Sequence, residues 1–126
     1  MSFNTVRVLV VEDNPGVMRM LLRSLRSLGF NEIESASSAD DARKQMGDGL
    51  QVDLLFSDIR MEGTLDGYGL ACWVKSEKPN THVLLTTGFT DHDIEEFPVL
   101  PKPYSLRRLR EKLDEVLTYD VPRESS

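Results

Sequence analysis

The chain has 126 residues, enough for one domain with a buried core and too few for two. Hydrophobic residues make up 40% and charged residues 29%, the composition of a globular protein that folds in water. Fifteen basic residues against 21 acidic ones leave a formal charge of −6, which argues against broad attraction to nucleic acid or anionic membrane.

The first element is "VRVLVVEDNPG", residues 6 to 16. Five of its first six residues are apolar, the pattern of a strand buried on both faces, and the run stops at two adjacent carboxylates, Glu12 and Asp13. Asn14 then caps a helix that starts at Pro15, carries Val17, Leu21, Leu25 and Leu28 inward and stops at Gly29. Residues 31 to 36, "NEIESA", read as a half-polar strand near a sheet edge. Ser38 caps the next helix, with Ala39, Ala42 and Met46 inward, and "GDG" at 47 to 49 breaks it.

"VDLLFSD", residues 52 to 58, repeats the pattern of an apolar strand closed by a carboxylate, Asp58. The loop "RMEGTLDG" leads to a helix carrying Tyr68, Ala71 and Val74, with Cys72 inside its apolar pattern. "THVLLTTG", residues 81 to 88, is a fourth strand ending in hydroxyls. Residues 89 to 97 leave room for only a short helix, and "PVLPKP" holds a brief fifth strand. Ser105 caps a last helix with Leu106, Leu109, Leu113 and Val116 inward, and the tail from 118 to 126 is polar.

Strand and helix thus alternate five times, the pattern of a (βα)5, doubly wound α/β domain with a parallel five-stranded sheet and helices on both faces. We expect a single domain over 1 to 126, with its core at about 6 to 117. The lone Cys72 has no partner for an intrachain disulfide, and "MSFNT" begins no signal peptide. The apolar runs fall far short of the roughly 18 residues of a membrane span, so a cytoplasmic location is expected.

Right-handed crossovers bring the carboxyl ends of parallel strands to one edge, where such sheets hold their ligands. There Glu12, Asp13, Asp58, Thr87 and Lys102 converge. Carboxylates so placed oppose one another's ionisation unless a cation is shared, and a hard oxygen-ligand site suits Mg²⁺. With the ion present, one carboxylate can attack phosphorus while a lysine and a hydroxyl stabilise the phosphoryl oxygens.

"VLVVEDNP", "LLFSDIRM", "LLTTG" and "LPKPYS", in this order and at these gaps, resemble the receiver domain of two-component response regulators, over about residues 6 to 117. The resemblance implies the flavodoxin-like, CheY-like fold with strand order 2-1-3-4-5. It implies Asp58 as phosphoacceptor and Asp13 as direct Mg²⁺ ligand, with Glu12 helping, Asp58 itself and the backbone carbonyl of Arg60 as further ligands. It also implies Thr87 as the hydroxyl on the phosphoryl group, Lys102 as its ion pair, and a cis bond at Lys102–Pro103. Thr87 is chosen over Thr86 because it directly precedes a small residue, Gly88.

Three departures stand out. The switch position three residues before the lysine lacks the usual aromatic and is Val99. The interval from Thr87 to Lys102 is 15 residues, so the fourth helix is expected to be stunted. Glu62 follows Met61 where a proline is common, and the loop before Gly67 is one residue long of the usual.

The implied function is a phosphoacceptor signalling switch, not an enzyme acting on an outside substrate. Its partners would be a sensor histidine kinase or histidine phosphotransfer protein and an unknown protein effector, with no nucleic acid and no membrane, as a monomer or a phosphorylation-dependent dimer. A stand-alone domain is the first expectation. A phosphorylation-independent adaptor, or a module of a larger hybrid kinase or response regulator, is the alternative. A flavodoxin-like cofactor binder lacks support, because "EDNPG" offers negative charge where a phosphate cradle is needed. A dehalogenase-type phosphatase wants a second acid two residues after the nucleophile, and Arg60 stands there. Arg19, Arg23 and Arg26 read as a solvated stripe, and Trp73, Phe89, Phe97 and Tyr104 as packing residues. His82 and His92 are given no role.

Overall fold

The structure, a computed structural model, describes residues 3–61, 63–88 and 96–118. Among these, five strands and four helices follow one another as β1 (Arg7–Val11), α1 (Pro15–Ser27), β2 (Glu32–Ala36), α2 (Ala39–Gly47), β3 (Leu54–Asp58), α3 (Gly67–Glu77), β4 (His82–Thr87), β5 (Val99–Pro101) and α4 (Leu106–Thr118). The strands form one parallel sheet in the order β2-β1-β3-β4-β5, the fold and order expected. The half-polar β2 lies at an edge, where its alternate residues meet solvent.

Every central strand is buried on both faces. Leu9, Val11, Leu55 and Leu85 meet α2 and α3 on one side, while Val8, Val10, Leu54, Phe56 and Leu84 meet α1 and α4 on the other. This alternation is the period-two geometry of a strand, and two covered faces explain the nearly continuous apolar runs. Burying side chains of this size stabilises by about 1.5–3 kcal/mol each before entropy is set against it.

The helix starts are chemically specified. Asn14 accepts from the Val17 N–H, Ser38 from Asp41, Asp66 from Gly69, and Ser105 from Arg108. Asp66 is a cap that the sequence reading leaves within a loop. Gly29 ends α1 at φ 110°, a region that favours glycine.

Four inward-facing or core assignments need correction. Val17 is exposed, and the buried stripe of α1 instead runs through Met18, Leu21, Leu22, Leu25 and Leu28; Val17 lies about 80° around the helix from Leu25. Leu106, in the first turn of α4, is exposed, and the packed stripe is Leu109, Leu113, Val116 and Leu117. Cys72 is exposed, between Ala71 and Val74 of the buried set Gly67, Leu70, Ala71 and Val74. Conversely, the core begins before residue 6. Phe3 is 2% exposed and stacks on Phe30 with ring centroids 4.4 Å apart.

The edge at β5 is short. β5 pairs only with Leu85–Thr87, and Pro98, whose carbonyl accepts from Leu85, has no N–H with which to extend the ladder. Glu96 and Phe97 are not helical. The rest of the short helix expected in 89 to 97, with Phe89 and His92, lies outside the described residues, as do Glu62 and the tail from 119. Among the described residues, no helix is long and apolar enough to cross a membrane.

Candidate functional site

The parallel order delivers the ends of β1, β3, β4 and β5 to one edge. There Asp58, the last residue of β3, lies with its side chain 15% exposed. Its Oδ2 accepts from Lys102 Nζ at 2.8 Å, and its Oδ1 accepts from the Arg60 N–H at 3.3 Å. Lys102 comes from the end of β5, where its N–H donates to the Thr87 carbonyl at 2.8 Å. The Lys102–Pro103 bond is cis, as the family pattern implies.

Glu12, at the end of β1, is buried and accepts from the Asn14 N–H at 3.0 Å. Burial pushes its carboxyl above the ordinary value, that N–H pulls it back, and Asp58 raises it further. Asp13 is exposed and lines a crevice of about 390 Å³ with Arg60, Met61 and Asp66. Among the described residues no three His, Cys, Asp or Glu side chains close into a ligand cage. The edge offers instead the carboxylates of Glu12, Asp13 and Asp58, of which Glu12 is buried and Asp13 exposed. This composition fits Mg²⁺, which takes one or two carboxylates and keeps several waters.

Thr87 ends β4 and is buried, and its Oγ1 donates to the Gly88 carbonyl at 2.7 Å. Thr86 is the residue in register with Asp58, and its carbonyl accepts from the Ile59 N–H at 3.0 Å. The two threonines alternate in direction, so they are not equivalent. Val99 opens β5 and packs into the cluster beneath α2 and α3.

Two residues at this edge carry more than the sequence reading gives them. Gly67 donates its N–H to the Ile59 carbonyl at 2.9 Å, and a Cβ at this position would lie on the Asp58 carbonyl oxygen. Only its place at the start of a helix after a glycine-bearing loop hints at it. Tyr104 is half-buried against the α1 and α4 core, and burial, then Glu12 and Asp58, push its phenol up to about 12. Its position two residues after Lys102 was the available signal. The arginines of α1, Arg19, Arg23 and Arg26, are exposed, and Arg43 lies 5.8 Å over the Trp73 ring. A larger cavity of about 540 Å³ opens beside the start of β4, lined by Val83, Phe97 and Val116 among others, and contains none of the edge residues named above.

Residues 8–114 match the model of the response regulator receiver domain family. The chain is 28% identical over 131 residues to the transcriptional regulatory protein GlrR of Escherichia coli (strain K12), covering 97% of this chain and 28% of that protein. It is 29% identical over 117 residues to the sensor kinase CckA of Brucella abortus (strain 2308), covering 87% of this chain and 12% of that one. The chain therefore spans about a quarter or less of these relatives' lengths. Its fold is similar to a response regulator receiver protein from Sinorhizobium medicae WSM419, with a TM-score of 0.82 at 21% identity, covering 94% of this chain and 98% of the other.

Proposed function

Because the chain belongs to the response regulator receiver domain family of two-component systems, we propose that it accepts a phosphoryl group on Asp58 from a phosphohistidine donor. The whole chain is read as one such domain, with Phe3 packed into its core ahead of residue 6. The observation that carries this reading is the pairing of Asp58 Oδ2 with Lys102 at 2.8 Å at the common carboxyl edge of the strands. A lysine so close marks where the phosphoryl oxygens would lie.

In the transfer, an Asp58 carboxylate oxygen forms the new bond to phosphorus while the bond from phosphorus to the donor's imidazole nitrogen breaks. The nitrogen keeps that electron pair. Lys102 stabilises the charge spread over the phosphoryl oxygens, and the Thr87 hydroxyl turns from the Gly88 carbonyl to donate to one of them. Asp13, Asp58 and the Arg60 carbonyl, with Glu12 behind them, would hold Mg²⁺, which when bound offsets the charge gathered on carboxylates and phosphate. The acyl phosphate later hydrolyses. A sensor histidine kinase or phosphotransfer protein is the donor, a separate protein reads the result, and the cytoplasm is the setting.

The test is intact mass after treatment with acetyl phosphate and Mg²⁺. The wild type is expected to gain one phosphoryl group only when the metal is present, and Asp58→Asn to gain none. A wild type that stays unmodified would leave the phosphorylation-independent adaptor as the better reading.

A further inference from the structure

Position 99 holds valine, so the expected aromatic is absent from the start of β5. The described structure holds a candidate on α3. Gly67 lies against the Asp58 carbonyl so closely that it admits no Cβ, and it is bonded through its N–H to Ile59. The first turn of α3 therefore follows any movement of the acceptor strand's end. The next residue, Tyr68, donates its hydroxyl to Glu96 Oε2 at 3.2 Å and sets its ring edge-on to Phe97, with centroids 6.1 Å apart.

Glu96 and Phe97 lead directly into β5, and β5 into Lys102, whose ammonium returns to Asp58. Asp58, Gly67, Tyr68, Glu96, β5 and Lys102 thus form a closed ring of contacts around the acceptor. A phosphoryl group placed between Asp58 Oδ2 and Lys102 lengthens one side of that ring, because the direct 2.8 Å pair can no longer form. The backbone joint at Gly67 is close-packed and Phe97 is buried, so the exposed hydrogen bond from Tyr68 to Glu96 is the member that gives way most cheaply.

Building on the phosphoacceptor reading, we propose that Tyr68 is the aromatic switch of this domain: its hydroxyl is held by Glu96 in the resting state and released when Asp58 is phosphorylated. Release remodels the surface made by α3 and residues 96–98, with Lys75, which lies 5.7 Å over the Phe97 ring, at its border. The phenol is pushed up to about 12 by the Cys72 thiol and Glu96, in keeping with a hydroxyl that stays a donor in the resting state.

Cys72, one turn along α3, exposed and the only cysteine, is a built-in probe. Its rate of alkylation by iodoacetamide is measured at fixed pH with and without acetyl phosphate and Mg²⁺, and the phosphoryl mass is read in the same samples. The phosphorylated wild type is expected to label about tenfold faster or more, the population change that losing one hydrogen bond to a charged group allows. Tyr68→Phe and Glu96→Ala should gain the phosphoryl mass as the wild type does, label fast from the outset and respond no further. Mass gain with unchanged labelling in the wild type overturns the switch alone, as does a Tyr68→Phe chain that still accelerates on phosphorylation. Absence of the mass gain overturns the phosphoacceptor reading and the switch with it.

Discussion

At the scale of single residues, Thr86 and Thr87 pose the sharpest choice. Thr86 is the register partner of Asp58, yet Thr87 is the strand's last residue, and its carbonyl takes the N–H of Lys102. A hydroxyl that serves a phosphoryl group must sit where the strand ends and the crevice opens, which favours Thr87. A hydrogen bond to a charged group is worth ~1.5–3 kcal/mol, so Thr87→Val is expected to slow phosphorylation by acetyl phosphate about tenfold or more. Thr86→Val, matched in shape, should leave that rate nearly unchanged. Initial rates of mass gain decide the matter, and the reverse outcome would transfer the role to Thr86. The tripeptide "TTG" places two hydroxyls at this edge, and the end of pairing at Thr87 is the structural reason to favour it.

At the scale of elements, the joint between β3 and α3 is the most constrained. A methyl group at Gly67 would overlap the Asp58 carbonyl oxygen, so either α3 or the acceptor strand must shift. Gly67→Ala is expected to cost ~1–3 kcal/mol of stability by overpacking. It should also slow Mg²⁺-dependent phosphorylation, because the displaced group belongs to the acceptor itself. Gly47→Ala is the control, since a Cβ there meets nothing within 4 Å and α2 gains a better helix former. Thermal unfolding together with the phosphorylation rate of both variants checks this. The loop between Asp58 and α3 is also tied across the molecule, with Thr64 Oγ1 donating to Asp40 Oδ1 at 2.9 Å. Such a tie between residues 24 apart has no signature in local sequence.

At the scale of the whole molecule, the two edges of the sheet divide the work. The carboxyl edge gathers groups that oppose one another, whereas the amino edge is closed by attraction. There Asp53 accepts from the Arg7 N–H at 2.9 Å and from its guanidinium at 3.0 and 3.1 Å, joining the starts of β1 and β3. Those bonds from Arg7 hold the Asp53 carboxyl below its ordinary value of 3.8. A depressed carboxyl stabilises the fold above its ordinary range and loses that contribution as pH falls through the folded value. Asp53→Asn should therefore unfold at a lower temperature than the wild type at neutral pH. The gap should close as pH falls through the folded value, where the wild-type carboxyl is also protonated. Phosphorylation should be unaffected, because the pair lies at the opposite edge from Asp58. Equal melting of both proteins at pH 7 would show the pair to be screened by solvent.

Much of this protein is legible in its sequence because the relevant chemistry is local. Asn14, Ser38 and Ser105 accept from backbone donors three residues on, Pro15 suits the first helical turn, and two-sided burial makes central strands continuously apolar. Strand-end acids and the lysine between prolines likewise announce the carboxyl edge, and the family pattern supplies their expected roles. Contacts between distant segments were settled only by the tertiary structure: Phe3 stacked on Phe30, Cys72 and Val17 turned to solvent, Gly67 pressed on the Asp58 carbonyl, and Tyr68 bonded to Glu96. The reason is physical. A cap or an apolar period is satisfied within a few residues, whereas which atom meets a given carbonyl or ring depends on how whole helices seat on the sheet.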